Sequence, residues 1–329
     1  MTEGITENEL HRRLEEIPPR FKRIRAELGK RVFGQEQLIE ALLLPLLCRS
    51  HCMLTGVPGL AKTMLIKSLS EVADLKFSRV QFTPDMMPGD LTGSEILDED
   101  EHGGRSFRFI PGPIFTQLLL ADEINRTTPK TQSALLEAME ERQVSAAGKT
   151  RPLPEPFFVL ATRNPIEQEG TYQLPEAQQD RFMFSLNMDY PDAGTERRIF
   201  LETTRDEQPA LECVITAAEL IEYQQAVRLI DVPSSVADMV LELVRSTRPG
   251  APRTPEIIKK YVRWGAGPRA GQFLILAAKA YAALDGRTNI SRADVLQAAH
   301  PVLRHRILLN FRAQADQVTS DDIITELLK

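Results

Sequence analysis

The sequence predicts an α/β fold followed by a helical second domain, and three observations support this prediction. Between residues 51 and 188, short apolar runs alternate with helical patterns, which is typical of a parallel sheet covered by helices on both faces. After Asp189 the strand patterns stop and helical periodicity continues. The length of 329 residues suits about two domains. We therefore expect one domain over residues 1–190 and a helical one over residues 191–329.

The individual elements follow from local patterns. Residues 1–30 indicate a charged helix that is broken at Pro18 and Pro19, because proline removes a helical hydrogen bond. Residues 35–47 have the apolar spacing of a partly buried helix. The predicted strands are 51–55, 77–82, 118–122, 157–162 and 184–188. The remaining predicted helices are 62–73, 131–142, 176–181, 217–229, 236–245, 271–284, 292–303 and 321–328.

Two polar segments interrupt the alternation of strands and helices. Residues 89–112 contain an acidic run and a glycine pair before a possible strand at 106–110. Residues 143–156 have a turn signal at Gly148 between two extended pieces, which predicts a hairpin. Each segment is either a solvated surface excursion or a recognition element, since loops commonly carry recognition.

Composition and charge narrow the class of protein. The chain has 40 Lys and Arg against 46 Asp and Glu, a net charge of −6, which argues against nucleic acid as a partner, because strong binding to phosphate backbones needs basic surfaces. Three cysteines are too few for a disulfide framework. The N-terminus has no apolar signal core, and no stretch reaches the ~20 apolar residues of a membrane helix. We expect a cytoplasmic protein with no membrane insertion.

The segment from Gly56 to Thr63 matches the phosphate-binding loop G-x-x-x-x-G-K-[ST], except that Ala61 replaces the second glycine. A strand pattern precedes it and a helix pattern follows it, as that loop requires. In such a loop Lys62 neutralises phosphate charge and the Thr63 hydroxyl binds Mg²⁺. We expect Ala61 to adopt a backbone conformation that tolerates a Cβ. The alternative is an ordinary glycine–proline turn that caps a helix.

Polar side chains also follow two other predicted strands. Asp122 and Glu123 end the apolar run 118–122, and Asn164 follows the run 157–162. Because ligand sites lie outside the carboxyl ends of parallel strands, Asp122 is a candidate Mg²⁺ ligand and Glu123 a candidate base for an attacking water. Asn164 can bind a γ-phosphate or that water, although Asn-Pro is also a common turn.

In this order and spacing, the three segments resemble Walker A, Walker B and sensor 1 of an AAA+ ATPase. The chain resembles the MoxR family over roughly residues 20–315, and the segments that carry the resemblance are GVPGLAKT, LLADEINR, ATRNP and LPEAQQDRF. In that family, alanine is normal at the place of Ala61. The resemblance implies a five-stranded core, a helical lid, ATP or ADP with Mg²⁺, and a homo-oligomeric, hexameric ring. It also implies a chaperone-like role on a client protein, often with a partner that carries a von Willebrand factor A domain.

The resemblance also assigns roles to single residues. It implies that Arg181 is the arginine finger and Arg269 is sensor 2, and that Phe33 and Gly34 pack against adenine; Arg126 is a further trans-acting candidate. The nucleotide-binding set is then Phe33, Gly34, Gly56, Val57, Pro58, Gly59, Leu60, Ala61, Lys62, Thr63 and Met64. From the residues alone, the alternatives are a helix-start turn at Phe33, an Arg181–Asp180 pair, a charged first-turn Arg269 and an Arg126 that caps a carboxylate.

Other functions remain open at this point. A DNA-acting motor or loader and a metal-chelatase subunit share this kind of ATPase core, and a scaffold that binds ATP without turnover is a third possibility. The single tryptophan, Trp264, is expected to be a packing anchor. Residues 89–112 and 143–156 correspond to the helix-2 insertion and the hairpin before sensor 1 in the resemblance, which face the pore or the client in similar ATPases.

Overall fold

A sheet of five parallel strands forms the centre of the protein, as the sequence predicts. The computed structural model describes residues 6–99, 105–165, 171–204, 209–251 and 254–329. The strand order is β2–β5–β8–β1–β9. These strands are β1 (Cys52–Gly56), β2 (Phe77–Gln81), β5 (Leu118–Asp122), β8 (Phe158–Arg163) and β9 (Phe184–Met188).

Helices cover both faces of this sheet. The helices before and between its strands are α1 (Glu7–Leu28), α2 (Glu36–Leu47), α3 (Lys62–Val72), α4 (Pro88–Thr92), α5 (Pro129–Glu141) and α6 (Glu176–Gln179). Alternate side chains of β5 enter two separate cores: Leu118 and Leu120 pack with α1, α2 and α3, whereas Leu119 and Ala121 pack with α5. This follows from the two-residue period of a strand that is buried on both faces.

Helix α1 corrects one prediction, because it continues through Pro18 and Pro19. Its side chains Leu14, Ile17 and Phe21 are at most 1% exposed, as are two further apolar residues in its last two turns. Burying five such side chains stabilises the helix by about 1.5–3 kcal/mol each. That sum exceeds the ~3 kcal/mol that each internal proline costs, so tertiary packing overrides the local signal.

Two antiparallel hairpins occupy the interruptions. The first consists of β3 (Gly93–Glu99) and β4 (Arg105–Pro111), and the second of β6 (Gln143–Ala146) and β7 (Lys149–Pro152). They touch each other, since the Arg151 guanidinium stacks 3.9 Å from the centre of the Phe109 ring. The predicted hairpin is confirmed, and the first segment contains two strands where one was predicted.

The second part of the chain is helical. It contains α7 (Ala193–Thr203), α8 (Ala217–Leu229), α9 (Ser234–Ser246), α10 (Glu256–Tyr261), α11 (Pro268–Leu284), α12 (Arg292–Leu303), α13 (Phe311–Ala315) and α14 (Ser320–Leu327). Its apolar side chains join those of α1, α2 and α3 in one core. No helix among the described residues is long and apolar enough to cross a membrane. The boundary near residue 190 stays a prediction.

Several features of this part differ from the sequence prediction. Helices α7, α10 and α13 were not predicted: α7 has no buried residue, and α10 and α13, of six and five residues, are too short to show a helical period. A short ladder pairs β10 (Val262–Trp264) with β11 (Leu308–Leu309). Trp264 is 70% exposed, so its expected role as a packing anchor is wrong.

Candidate functional site

The phosphate loop connects β1 to the N-terminus of α3. Gly59 and Ala61 both have positive φ, +88° and +59°, and Lys62 begins α3 directly after Ala61. The expectation that Ala61 adopts a conformation tolerant of a Cβ is therefore wrong, since the left-handed region costs a non-glycine residue about 1–2 kcal/mol. Such strain is typical of functional loops that the surrounding structure holds in place.

Lys62 folds back over this loop. Its ammonium group donates a hydrogen bond of 2.5 Å to the carbonyl oxygen of Gly56. Partial burial lowers the pKa of Lys62, and the nearby carboxylates of Asp122 and Glu123 oppose that effect. The lysine charge is therefore close both to the loop and to the carboxylates of Asp122 and Glu123, at the carboxyl end of β5.

Asp122 ends β5 and is held at both carboxylate oxygens. The Thr162 hydroxyl donates to Oδ1 at 2.6 Å, and the Arg79 guanidinium donates to Oδ2 at 2.7 Å and 3.2 Å. Thr162 lies opposite Asp122 in the neighbouring strand, one residue beyond the pair Ala121–Ala161. Two strands that flank β5 thus orient this single carboxylate.

Glu123 is the first residue after the strand and has a left-handed backbone, with φ +57°. Its N–H donates to the Thr162 hydroxyl at 2.9 Å. Its carboxylate accepts from the Gln81 amide at 2.5 Å and from Arg126 at 2.9 Å. Of the two alternatives for Arg126, the structure therefore displays the arginine that caps a nearby carboxylate.

Asn164 completes this edge of the sheet. It directly follows β8 and is 5% exposed. In the parallel register, Thr55 lies opposite Arg163, so Asn164 comes next to the start of the phosphate loop. The carboxyl ends of β1, β5 and β8 therefore bring Lys62, Asp122, Glu123 and Asn164 to one place, as predicted.

The oxygen donors at this edge fit a magnesium site. Thr63 lies in the first turn of α3 and Asp122 at the end of β5, which offers one hydroxyl and one carboxylate. Mg²⁺ in nucleotide enzymes is typically bound by one or two protein oxygens together with substrate phosphates. Within the described ranges, no group of three or more His, Cys, Asp or Glu could hold a metal on its own.

An apolar cavity of about 240 Å³ adjoins the phosphate loop. One wall carries Phe33 and another carries Tyr190 and Phe200, from the segment before α7 and from α7 itself. Leu60, Ala61 and Met64 form the floor. An aromatic and aliphatic lining of this kind suits a flat nucleobase.

The cavity depends on a close contact between Gly34 and α7. Gly34 has φ +70°, and a Cβ at this position would lie 2.3 Å from the Thr195 side chain. Asp192 caps α7 by accepting from the N–H groups of Gly194 and Thr195. A larger residue at position 34 would therefore clash with the Thr195 side chain and adopt a strained positive φ.

Arg181 and Arg269 lie at the opposite end of the sheet. Arg181 Nε is 3.1 Å from Glu140 Oε2, and an Arg269 guanidinium nitrogen is 2.8 Å from Glu140 Oε1. Glu140 belongs to the last turn of α5. One carboxylate therefore joins two arginines that are 88 residues apart in the chain. The alternative considered for Arg181, a pair with Asp180, is not among the ion pairs of the described residues.

The register shows how far this pair is from the phosphate loop. Cys52 at the start of β1 lies opposite Phe184, and the N–H of Met183 donates to the carbonyl of His51. Arg181 therefore precedes the amino end of β9, whereas Lys62 follows the carboxyl end of β1. The five residues of β1 separate them by about 16 Å at ~3.3 Å per residue.

His51 is buried next to the arginine pair. Its Nδ1 accepts from the Val159 N–H at 3.0 Å, so its Nε2 carries the proton and donates to the Met139 carbonyl at 3.1 Å. Burial lowers the pKa of His51 to about 4. A neutral imidazole thus ties the C-terminal turn of α5, where Glu140 lies, to the strands.

Several residues of the site were missed in the sequence. Arg79 and Gln81 lie two apart on β2, Thr162 lies two before Asn164, and Glu140 lies on α5. Their only sequence signal is a polar residue within or near the end of a strand or helix, which is common at solvated positions. Strand register, which the sequence does not display, is what brings them to the carboxylates and arginines.

Comparison with known proteins agrees with this geometry. Residues 51–184 match the ATPase family associated with various cellular activities (AAA), and residues 255–327 match the AAA lid domain. Chaperone MoxR1 of Mycobacterium tuberculosis is 40% identical over 303 residues, which cover 92% of this chain and 79% of that protein. Protein MoxR of Paracoccus denitrificans is 31% identical over 307 residues, 88% of this chain and 89% of that protein.

A solved structure has the same fold over nearly its whole length. The crystal structure of a candidate ATPase from Cytophaga hutchinsonii superposes with a TM-score of 0.91 at 37% sequence identity, covering 99% of this chain and 98% of that one. Together with the phosphate loop, the paired carboxylates and the helical lid, these similarities establish that the chain belongs to the MoxR family of chaperone-like AAA+ ATPases.

Proposed function

We propose that this protein hydrolyses ATP with Mg²⁺ in a homo-oligomeric ring and uses the energy to remodel client protein complexes. The observation that carries the proposal is the division of charged groups between the two ends of the sheet. Lys62, Asp122 and Glu123 meet at the carboxyl end, and Arg181 and Arg269 meet on Glu140 at the amino end.

At the carboxyl end, each side chain has a task that suits its surroundings. The backbone of residues 56–61 and the N-terminus of α3 bind phosphate oxygens, and Lys62 neutralises their charge. Glu123 accepts a proton from the attacking water, and Asn164 orients that water or the γ-phosphate. Mg²⁺, when bound by Thr63, Asp122 and phosphate oxygens, supplies charge neutralisation of the phosphates.

At the amino end, the two arginines are too far away to act on their own subunit's phosphate loop. A neighbouring subunit in a head-to-tail arrangement can present them instead, because a heterologous interface joins different faces of the two copies. A guanidinium delivered to the γ-phosphate stabilises the charge of the transition state. The geometry supports a trans role for Arg269 as well as for Arg181, since both bind the same carboxylate. A ring of six subunits is carried over from the family resemblance, and a cytoplasmic location from the small number of cysteines and the lack of an apolar signal core.

In this proposal, the two hairpins, β3–β4 and β6–β7, form the surface that binds the client protein. Leu97 and Phe107 form a cross-strand pair on β3 and β4 and are 55% and 73% exposed. Exposed apolar side chains on a projecting hairpin are typical of a protein-binding surface. The name of the mycobacterial relative, Chaperone MoxR1, supports a protein client. A partner with a von Willebrand factor A domain is part of the same proposal.

A mixing experiment tests the shared site. Arg181→Ala should bind ATP but lower turnover by ~10³-fold, and Lys62→Ala should abolish nucleotide binding. In a mixed assembly, a Lys62→Ala subunit still offers Arg181 to the intact phosphate loop of an Arg181→Ala neighbour. We therefore expect ATPase activity of the mixture to exceed that of either variant alone. Arg312→Ala, which removes an exposed arginine of α13, serves as the matched control and should retain turnover.

Two outcomes would contradict the shared site. The first is unchanged turnover of Arg181→Ala. The second is no recovery in a mixture whose mixed assembly has been verified by native mass spectrometry.

A further inference from the structure

Arg79 makes a contact that the proposed mechanism does not use. It lies on β2, next to β5, and its guanidinium donates two hydrogen bonds to Oδ2 of Asp122, at 2.7 Å and 3.2 Å. Arg79 lies opposite Leu120 in the register, so it reaches Asp122 diagonally across the strand pair. Asp122 is the only carboxylate proposed to bind Mg²⁺, and Arg79 therefore puts a positive charge on the metal ligand itself.

The surroundings make this contact energetically significant. The side chain of Asp122 is 13% exposed and that of Arg79 is 45% exposed, so the carboxylate is shielded while the guanidinium is half in water. A hydrogen bond to a charged group in such a setting is stronger than a solvated surface pair. A cation that approaches Asp122 must share its charge with Arg79 or displace it.

Arg79 is also connected to the second carboxylate. The same terminal nitrogen that donates to Asp122 lies 2.7 Å from the Gln81 amide oxygen, and Gln81 in turn donates to Glu123 at 2.5 Å. A chain of hydrogen bonds thus runs from Asp122 through Arg79 and Gln81 to Glu123. A change in the position of Arg79 therefore alters the hydrogen bonding of both Asp122 and Glu123.

We propose that the Arg79 guanidinium competes with Mg²⁺ for Asp122 and so sets the Mg²⁺ concentration at which Mg-nucleotide binds. The inference rests on the proposed function, because it requires Asp122 to act as the metal ligand. Removal of Arg79 leaves Thr162 bound to the other oxygen of Asp122 at 2.6 Å. The carboxylate therefore stays oriented, and the dominant effect of removing Arg79 is loss of the competing charge.

The test is a Mg²⁺ titration of nucleotide binding, which requires no turnover. Binding of N-methylanthraniloyl-ADP is followed by fluorescence, first in EDTA and then at increasing free Mg²⁺. In Arg79→Met we expect the Mg²⁺ midpoint to fall about three- to tenfold, since a partly exposed charge-assisted pair is being removed. Affinity in EDTA should change by less than about twofold, because Lys62 and the phosphate loop remain.

Two control variants separate competition from general effects. Arg79→Lys keeps a cation near Asp122 but loses the paired guanidinium hydrogen bonds, so its midpoint should lie between those of the natural protein and Arg79→Met. Arg108→Met removes an arginine that pairs with Asp98 on the first hairpin and should leave the midpoint unchanged. Thermal unfolding of each variant checks that the fold is intact.

Failure of this inference differs from failure of the proposed function. If Arg79→Met binds the ADP analogue normally and its Mg²⁺ midpoint is unchanged or higher, the inference is wrong while the ATPase proposal stands. If Arg79→Met fails to fold, an unchanged midpoint in Arg79→Gln, which removes the same charge, overturns the inference in the same way. If the natural protein does not bind the analogue at any Mg²⁺ concentration, the proposed function is wrong and the inference falls with it.

Discussion

The two ends of the central sheet are built from the same kind of contact, an arginine on a carboxylate, but they differ in burial and in the number of arginines. At the carboxyl end, the shielded carboxylate of Asp122 accepts from one arginine, Arg79. At the amino end, the 41% exposed carboxylate of Glu140 pairs with two, Arg181 and Arg269. The first carboxylate is oriented by neighbouring strands, whereas the second lies at the surface, where its arginines are available to another molecule.

This difference shows how one sheet can carry two sets of groups, the phosphate-binding residues at one end and the arginines at the other. Parallel strands collect loop residues at their carboxyl ends, which is where ligands bind in such folds. The amino ends receive the C-terminal turns of the crossover helices and the residue that precedes each strand. Because the two ends are a strand length apart, groups at one end cannot serve the other within one chain.

The largest expected effect is at the carboxyl end. Glu123→Gln keeps the size of the side chain and the contact with Gln81, but an amide cannot take a proton from water. We expect ATP binding to persist and turnover to fall by ~10²-fold or more, measured by phosphate release. Glu141→Gln, an exposed position on α5, is the matched control. Normal turnover of Glu123→Gln would show that Glu123 is not the base that activates the attacking water.

The second effect concerns the stability of the amino end. Burial lowers the pKa of His51 to about 4 in the folded protein. In the unfolded state this histidine binds a proton near pH 6.5, whereas in the folded state it stays neutral at that pH. Stability from this group is present above pH 6.5 and is lost as the pH falls toward 4. Between pH 7 and pH 5 we expect this group to lower the free energy of unfolding by about 2 kcal/mol.

Urea unfolding across this pH range measures the effect. His51→Gln should show a flatter dependence of the unfolding free energy on pH than the natural protein, whereas His11→Gln, at an exposed site of α1, should not. His305 is also buried with a lowered pKa, so part of the dependence remains in His51→Gln. Equal slopes for the natural protein and His51→Gln would show that His51 is not held neutral.

A smaller effect is expected when the arginine pair loses its shared carboxylate. Glu140→Gln removes the charge that holds Arg181 and Arg269 together. The two guanidinium groups are then less well oriented before each turnover. We expect turnover to fall by about tenfold or less with little change in melting temperature, because Glu140 is 41% exposed. Glu137→Gln, one turn earlier and exposed, should behave like the natural protein. A normal rate in Glu140→Gln would mean that the arginines act independently.

The smallest effect lies outside both ends of the sheet. Replacing residues 146–151 by a two-residue turn shortens the second hairpin but keeps Val144 and Leu153, which are buried. It removes the stacking of Arg151 on Phe109, worth about 0.5–1 kcal/mol. Calorimetry should show only this loss, whereas stimulation of ATPase activity by a client should weaken. A large drop in melting temperature would instead assign the hairpin to the core.

The sequence alone determined the parts of this protein whose signals are local. The run Leu118–Asp122 has the same limits in the prediction and in the structure, because a fully apolar segment between polar ones fits a buried strand. The phosphate loop is equally clear, since its spacing comes from the chemistry of one short segment. The five strands and the helical lid follow from periods of two and 3.6 residues, which neighbouring residues carry themselves.

Only the tertiary structure decided what depends on contacts between distant segments. Pro18 and Pro19 stay inside a helix because the core that α1 joins is worth more than the hydrogen bonds they remove. Ala61 accepts a left-handed backbone because strand and helix hold both ends of its loop. Arg79 meets Asp122, and Glu140 joins Arg181 to Arg269, because register and packing bring these residues together. The residues around a charged side chain do not indicate which distant residue it will contact, so such pairs can be identified only from the folded structure.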